Sequence, residues 1–343
     1  MALSATSQHA AKSSLDVAAV GNAIVDVLAQ STDRFLEEFG LAKGTMTLIG
    51  TPEAEALYAR MGAATECSGG SAANTVVGVA MLGGRAGFIG KVNDDQLGKI
   101  FRHDIRAVGV EFDTPAATGD TPTARCLVFV TPDAQRTMQT FLGVAGNLGP
   151  EDVDADLIQR ASVTYLEGYL FDPPPAKKAF EKAASLAHAA GKRVALTLSD
   201  PFCVDRHRVD FQKLIGDHVD ILFANEAEIT SLYKVNDFDA ALQIIRSQCE
   251  IAVLTRSEQG AVIIAKDGVH TIAAEPVARV VDTTGAGDSF AAGFLFGFTQ
   301  GLDLGTAGRI GAICASEVIS RFGARPSSSI VDIVKAKTGI KLG

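Results

Sequence analysis

Short apolar runs that alternate with amphipathic segments constrain this fold more than any other feature of the chain. The alternation begins after Gly149-Pro150, where runs such as Val163–Leu166 and Ile251–Thr255 have the length and composition of buried strands. Between the runs, segments such as Ala176–Ala190 place small and apolar residues on one face at three- and four-residue spacing, which predicts helices. Strands that alternate with helices predict right-handed βαβ units and a mainly parallel sheet flanked by helices, the α/β class.

The first part of the chain has a different pattern of apolar segments. Leu15–Val20 predicts a buried first strand that enters a turn at Gly21-Asn22. The apolar pieces that follow do not fit the βαβ pattern, so we expect a small β-strand subdomain that covers the carboxyl ends of the parallel strands as a lid, where such sheets bind ligands. The expected organisation is a disordered tail over residues 1–14 and one domain over 15–343, with lid strands from about 23–50 and 110–142.

Composition and charge exclude several classes of function. The chain has 31 Lys+Arg against 40 Asp+Glu, a net charge of −9, which argues against a nucleic-acid partner because phosphate-backbone binding needs a concentrated basic surface. No apolar run approaches the roughly 18 residues that span a membrane, and no signal-peptide core is present. The five scattered cysteines fit reduced thiols, so we expect a cytoplasmic protein. We expect it to be either a monomer or a homodimer.

The sharpest functional signal is the stretch Asp282–Phe290, which directly precedes an apolar helix. Gly285 and Gly287 let a ligand approach the backbone, and the start of the helix leaves N–H groups unpaired, which together predict an anion site. Asp288 in the first turn could accept the proton of an alcohol during phosphoryl transfer. We expect the helix start to lower the pKa of this carboxyl. The alternative is that Asp288 only caps the helix.

Two further segments are candidates for substrate binding. In Ser68–Thr75, Gly70 would let a substrate lie against the backbone, and Asn74 could hydrogen-bond a substrate hydroxyl. Asn22 and Asp26 interrupt apolar sequence at the end of the first strand. Each segment has a structural alternative, a glycine turn for the first and a capping or turn role for the second.

Common nucleotide and metal motifs are absent from the sequence. It contains no G-x-x-x-x-G-K-[S/T] and no G-x-G-x-x-G after the first strand, which excludes a P-loop and a dinucleotide-binding fingerprint. The six histidines are scattered without an H-E-x-x-H pattern, which argues against a metal–histidine site.

Taken together and in this order, the glycine segments resemble the two signatures of the PfkB/ribokinase family of carbohydrate and nucleoside kinases. Gly69–Asn74 is similar to the N-terminal signature, Asp282–Phe290 to the C-terminal signature, and Asn225–Glu228 to the family's N-x-x-E motif. The resemblance extends over about Asp16–Ser327. It implies a Rossmann-like ribokinase fold with a β lid, and phosphorylation of a hydroxymethyl group on a small-molecule substrate with ATP and Mg²⁺.

The resemblance also implies roles for individual residues. The implied catalytic residues are Asp288 as the base, the backbone amides of Gly285, Ala286 and Gly287 as the anion hole, and Arg136 at the transferred phosphate. The implied substrate-binding residues are Asn22, Asp26, Gly69, Gly70, Ser71, Asn74, Met46, Leu48 and Tyr169. The implied ATP and metal residues are Asn225, Glu228 (to Mg²⁺ through water), Thr255, Arg256, Ser257 and Gly260, with Asp282 and Thr284 at a K⁺ site.

Within the family, several stretches are similar to the adenosine kinase branch. Gly21–Asp26 matches its G-N-x-x-x-D motif, in which the Asn and the Asp hold ribose hydroxyls, and Leu196–Phe202 resembles its N-L-S-x-P-F stretch. Where eukaryotic members have an aromatic residue on the adenine, this chain has Leu170, between Tyr169 and Phe171.

Three functions follow from these patterns. The first is ATP-dependent phosphorylation of a nucleoside 5′-hydroxyl, with adenosine as the favoured substrate. The second keeps the mechanism but takes a sugar, as ribokinase, fructokinase or 2-keto-3-deoxygluconate kinase do. The third is a nucleotide-responsive binding protein without catalysis. The mostly apolar lid segment Thr45–Ile49 favours the nucleoside, since a free sugar needs polar groups at each hydroxyl.

Overall fold

The computed structural model describes residues 14–133, 135–326 and 329–340. The expected tail therefore lies outside the described residues, except for Ser14. The strands in these ranges are β1 Leu15–Val20, β2 Ile24–Gln30, β3 Met46–Leu48, β4 Ala64–Gly69, β5 Ala86–Ile89, β6 Ala124–Val130, β7 Arg136–Phe141, β8 Ala161–Glu167, β9 Arg193–Thr197, β10 Ile221–Asn225, β11 Ile251–Thr255, β12 Ala261–Ala265 and β13 Gly268–Ile272.

The same ranges contain helices on both sides of the larger sheet. They are α1 Asp33–Glu38, α2 Thr51–Tyr58, α3 Ser71–Met81, α4 Gln96–Ala107, α5 Ala155–Arg160, α6 Pro174–Ala189, α7 Pro201–His218, α8 Glu226–Tyr233, α9 Phe238–Ile245, α10 Ala286–Thr299, α11 Leu304–Ile319 and α12 Ile330–Thr338. None of these described helices is both long enough and apolar enough to cross a bilayer.

The larger sheet has eight strands in the order β13-β12-β11-β10-β9-β8-β1-β5. All neighbours from β11 to β5 are parallel, whereas β12 pairs antiparallel with both β11 and β13. Alternate residues of one strand enter opposite cores: Val163 and Tyr165 pack on one face, while Leu166 packs on the other. The predicted α/β class and the mainly parallel sheet are confirmed.

The second sheet has five strands in the order β3-β7-β6-β2-β4. One face packs Val27 and Phe129 against Leu36 and Leu57 from α1 and α2. Strands β2, β3, β6 and β7 fall within the ranges expected for the lid, but β4 does not. The sequence of β4, ATECSG, is largely polar and exposed at its start, so it lacks the apolar alternation that predicts a strand.

Helix α7 was not predicted by the sequence pattern. Its backbone departs from helical geometry at His207 (φ −123°, ψ 22°), and the kink divides the helix into two segments. The side-chain periodicity therefore changes phase within the helix, which removes the continuous apolar face that a pattern search needs.

Helices α3 and α10 bring the two glycine segments to the same edge of the sheet. They lie so close that a Cβ atom on Gly78 would come within 2.6 Å of Ala292 Cβ. Ser71, the first residue of α3, contacts Asp288 near the start of α10, so the two helices begin side by side. The N-termini of both helices thus open into one cleft beneath the second sheet.

Candidate active site

Asp288 is the central carboxylate of this cleft. Ser71 Oγ donates a 2.6 Å hydrogen bond to Asp288 Oδ1, and Asn74 Nδ2 donates a 3.3 Å hydrogen bond to Oδ2. The two glycine segments, more than 200 residues apart, therefore meet at one side chain. An ionised carboxylate has about four lone-pair positions, so it can still accept a proton from a bound hydroxyl.

The expectation of a low pKa for Asp288 is wrong. Loss of solvent in the cleft raises the pKa to about 6, and this effect exceeds the lowering by the hydrogen bonds from Ser71 and Asn74. The charge of Asp26 raises the pKa further, whereas that of Arg325 lowers it. A carboxylate with a pKa near 6 is ionised at neutral pH and is a stronger base than an exposed one.

The predicted anion hole is the turn that opens α10. Gly285 has φ 75°, and a Cβ atom there would lie 2.5 Å from Ala324 O, so only glycine fits. Gly287 has open space around its Cα and is exposed. The Ala286 N–H donates to Thr283 O at 3.2 Å and is thus part of the turn in this conformation. The role of these amides stays a prediction.

Asn22 lies at the end of β1 and is held by Glu167 at the end of β8. Asn22 Nδ2 donates a 2.7 Å hydrogen bond to Glu167 Oε1, and Ala72 N donates a 2.8 Å bond to Oε2. Among the described residues, Asn22 Oδ1 has no hydrogen-bond partner although it is buried. An acceptor without a donor is rare inside proteins and is suited to a substrate hydroxyl.

Glu167 was missed by the sequence analysis. It is buried, and loss of solvent raises its pKa to about 7. A signal existed, since Glu167 is an acidic residue at the carboxyl end of an otherwise apolar strand. The functional ends of parallel strands are where such residues are expected.

Asp26 reaches the same cleft from β2 of the second sheet. Burial raises its pKa to about 6, although Arg325 and Arg136 both lower it. A Cβ atom on Gly69 would clash with the Asp26 carboxylate, and one on Gly70 (φ 99°) would clash with Asn22 O. The two glycines therefore allow β4 and α3 to approach both predicted hydroxyl-binding residues.

Arg136, predicted at the transferred phosphate, lies beside the anion-hole turn and pairs with Asp282. The Nη2–Oδ2 distance is 2.5 Å, and the guanidinium lies 5.0 Å from the centre of the Phe322 ring. Asp282 also accepts hydrogen bonds from Thr284 N at 3.0 Å and Gly323 N at 3.1 Å. Three protein donors therefore use most of the lone-pair positions of this carboxylate. The K⁺ site stays a prediction.

Asn225 and Glu228 form a reciprocal cap at the start of α8. Asn225 Oδ1 accepts from Glu228 N at 2.8 Å, while Asn225 Nδ2 donates to Glu228 Oε1 at 2.6 Å. Burial, together with the charges of Asp200 and Asp288, raises the pKa of Glu228 to about 7. Such a negative environment suits a divalent cation. In the described ranges no three His, Cys, Asp or Glu residues form a metal cluster, so Mg²⁺ would keep water and phosphate ligands.

The predicted ATP segment follows β11, next to Asn225. Thr255 and Asn225 are paired at the ends of adjacent parallel strands. Ser257 (φ 50°) and Gly260 (φ 85°) shape the turn that follows. The Arg256 side chain pairs with Glu226 at 2.9 Å and lies 4.1 Å from the centre of the Phe238 ring. The structure therefore brings this segment to the Glu228 side of the cleft.

The remaining predicted substrate residues border the cleft from two sides. Met46 and Leu48 are 41% and 47% exposed. Strand pairing places Leu48 on the same face of the second sheet as Asp26. Burial raises the pKa of the Tyr169 hydroxyl, and the nearby charges of Asp200 and Asp288 raise it further. Leu170 is fully buried in the core, so within this stretch Tyr169 is the residue that approaches the cleft.

A family comparison matches most of the chain. The model of the family described as "pfkB family carbohydrate kinase" matches residues 34–330. A curated relative, 5-dehydro-2-deoxygluconokinase of Listeria monocytogenes serotype 4b, is 28% identical over 332 residues, covering 94% of this chain and 95% of the relative.

Two solved structures are similar over nearly the whole chain. A probable sugar kinase from Rhizobium etli CFN 42 has a TM-score of 0.90 and 49% identity, covering 96% of this chain and 100% of that protein. An adenosine kinase from Sinorhizobium meliloti has a TM-score of 0.89 and 50% identity, covering 95% of this chain and 100% of that protein.

Substitution of the two anion-hole glycines tests the steric constraint on the turn that opens α10. We expect Gly285→Ala to lower the free energy of unfolding by about 1–3 kcal/mol, because the new Cβ clashes with Ala324 O and the φ angle is strained. Gly287→Ala is the matched control and should change it by less than about 0.5 kcal/mol, since the added methyl group meets open space. Urea unfolding measures both changes in the free energy of unfolding. Equal unfolding midpoints for the two variants would contradict this account of the turn.

Proposed function

The chain belongs to the pfkB family of carbohydrate kinases, and we propose that it transfers the γ-phosphoryl group of ATP to the 5′-hydroxyl of a nucleoside, adenosine. Kinase activity is common to the similar proteins, which are named as kinases of sugars, of 5-dehydro-2-deoxygluconate or of adenosine. The acceptor is the open question, and the observation that carries our proposal is the pair Asn22 and Asp26 beneath an apolar sheet face.

Asn22 and Asp26 offer two hydrogen-bond acceptors to the secondary hydroxyls of a ribose. Asn22 Oδ1 is buried without a donor, and the Asp26 carboxylate enters the same cleft. Two adjacent acceptors suit a vicinal diol, since each hydroxyl donates one proton. The second carboxylate, Asp288, is then free for the primary hydroxyl.

Asp288 is the proposed base. As the 5′-oxygen forms a bond to the γ-phosphorus, the bond from that phosphorus to the β–γ bridging oxygen breaks, ADP leaves and the hydroxyl proton passes to Asp288. The amides of Gly285 and Gly287 would stabilise the charge on the transferred group. Asn225 and Glu228 would hold Mg²⁺ through water beside the phosphates, where the ion would neutralise part of that charge.

The apolar face of the second sheet supports a nucleoside rather than a free sugar. Leu48 and Asp26 share this face, and Met46, two residues before Leu48 on β3, lies on it as well. Cys126, Val128, Ile24, Leu28 and Met138 form an apolar cluster on the same sheet. A flat base can cover such a surface, whereas the hydroxyls of a free sugar would lose their hydrogen bonds with water there.

A sugar kinase remains the alternative function. It is favoured by the names of the relatives, because 5-dehydro-2-deoxygluconokinase matches almost the whole chain. In this case the primary hydroxyl of the sugar would occupy the same position at Asp288, and the apolar face would be left uncovered.

A coupled assay of ADP release with Mg-ATP tests the acceptor. We expect kcat/KM for adenosine to exceed that for ribose, fructose and keto-deoxygluconate by at least about tenfold. Asp288→Asn should lower kcat by about 10²–10⁴-fold with little change in KM for ATP, because the base is lost but the nucleotide contacts remain. Preference for a sugar would overturn the nucleoside assignment, and near-normal turnover by Asp288→Asn would overturn the assignment of the base.

The pH dependence of kcat/KM tests the environment of Asp288. A raised pKa keeps the proton on the carboxyl to higher pH, so activity should fall as the pH drops through about 6. The charged groups that face Asp288 are Asp26, Glu167, Glu228 and Arg325.

Removal of the like charge with Asp26→Asn should move this acidic limb to lower pH, because Asp26 raises the pKa of Asp288. A wild-type profile that stays flat to about pH 4, the range of an unperturbed Asp, would contradict the described environment.

A further inference from the structure

Arg325 is a partly buried cation that none of the sequence motifs identified. It belongs to the segment after α11 that returns to the cleft. In this segment Gly323 N donates to Asp282, and Ala324 O closes against Gly285 at the anion-hole turn. Contacts of the two preceding residues therefore fix the position from which the Arg325 side chain enters the site.

Two of the three guanidinium nitrogens are used within the protein. Arg325 Nε donates a 3.0 Å hydrogen bond to Asn74 Oδ1, and Nη1 donates a 2.8 Å bond to Ser68 Oγ. The first bond determines the orientation of the Asn74 amide. With its oxygen on Arg325, Asn74 presents its Nδ2 to Asp288 at 3.3 Å. A reversed amide would place oxygen against the carboxylate and repel it.

The third nitrogen has no partner. Among the residues that the structure describes, Arg325 Nη2 is buried without a hydrogen-bond acceptor. A buried donor on a charged group is costly to leave unpaired, so an acceptor from outside the chain is needed to satisfy it. The charges of Asp26 and Asp288 act on this guanidinium, so it lies near the proposed hydroxyl-binding carboxylate and the proposed base.

We propose that Arg325 is a specificity-determining residue for the acceptor substrate, which fixes the Asn74 amide and donates its unpaired Nη2 to an oxygen of the bound sugar. This inference rests on the proposed function, because it assumes that the acceptor carries a sugar between Asp26 and Asp288. The ribose hydroxyls then act both as hydrogen-bond donors and as hydrogen-bond acceptors. Asn22 and Asp26 accept from hydroxyl protons, while Arg325 donates to an oxygen lone pair.

A cycle of enzyme variants and deoxy analogues tests this contact. Wild type, Arg325→Gln and Arg325→Lys are compared with adenosine, 2′-deoxyadenosine and 3′-deoxyadenosine, and kcat/KM is measured for each. If Nη2 binds one hydroxyl oxygen, wild type should lose at least about tenfold with the analogue that lacks it. The loss of Arg325→Gln with the same analogue should be at least about threefold smaller, and what remains is the contact of that hydroxyl with Asn22 or Asp26.

The KM values distinguish substrate binding from a general structural role. We expect Arg325→Gln to raise KM for adenosine by at least about tenfold, while KM for ATP stays within about twofold of wild type. Arg325→Lys, which keeps the charge, should recover part of the loss. Arg321→Gln is the matched control, because Arg321 is on the same segment but is exposed and pairs with Glu317. It should behave as wild type with all three nucleosides.

Two results would overturn the inference. One is an equal deoxy penalty in wild type and Arg325→Gln, and the other is a parallel rise of KM for adenosine and ATP. If Arg325→Gln does not fold, the cycle is completed with Arg325→Lys, whose deoxy penalty must then differ from that of wild type. If wild type prefers a free sugar, the nucleoside function fails, and the same cycle with deoxy analogues of that sugar still decides the role of Arg325.

Discussion

The active-site cleft depends on the removal of several carboxyl groups from water at one place. Their pKa values are all raised, to between about 6 and about 7, and the groups are Asp26, Glu167, Glu228 and Asp288. Because the folded protein retains these protons where the unfolded chain has released them, the four groups lower stability progressively as the pH rises from about 4 to about 7. Backbone amides, Asn22 and Arg325 offset part of this cost. The same desolvation makes Asp288 a suitable base, so the destabilisation is inseparable from the proposed chemistry.

The second sheet supplies half of this environment. Asp26 lies on its inner face, and Arg136 from β7 reaches across the cleft to Asp282 beside the anion-hole turn. The structure therefore has the second sheet in contact with the turn before α10, through an ion pair between two nearly buried side chains. Separation of this sheet from the cleft would break that ion pair, which ties the position of the sheet to the electrostatics of the site.

Much of the fold was predictable because apolar periodicity reports burial directly. The strands β1, β8 and β11 and the helices α6 and α10 agree with the sequence pattern, as does the mainly parallel character of the large sheet. Strand β4 was missed because it is polar, and α7 was missed because the kink at His207 interrupts its face. These elements depend on tertiary packing, which local sequence does not encode.

The candidate site was predicted unevenly for a similar reason. Local glycine motifs identified Asp288 and Asn74, and the structure brings them together. Glu167 and Arg325 act through contacts that join residues distant in sequence, and neither lies in a recognisable motif. The low pKa expected for Asp288 was wrong because a helix start was considered in isolation, whereas the surrounding burial determines the result.

The central claim is that Asn22 and Asp26 hold the secondary hydroxyls while Asp288 faces the primary one. The most direct measurement is the proton-coupled ³¹P spectrum of the nucleotide that the enzyme forms from adenosine and ATP. A phosphate on the 5′-oxygen couples to the two 5′-protons with similar coupling constants and gives an apparent triplet, which is the result that this arrangement predicts. A doublet, from a phosphate on the 2′- or 3′-oxygen, would show that a secondary hydroxyl reaches Asp288 and would contradict it.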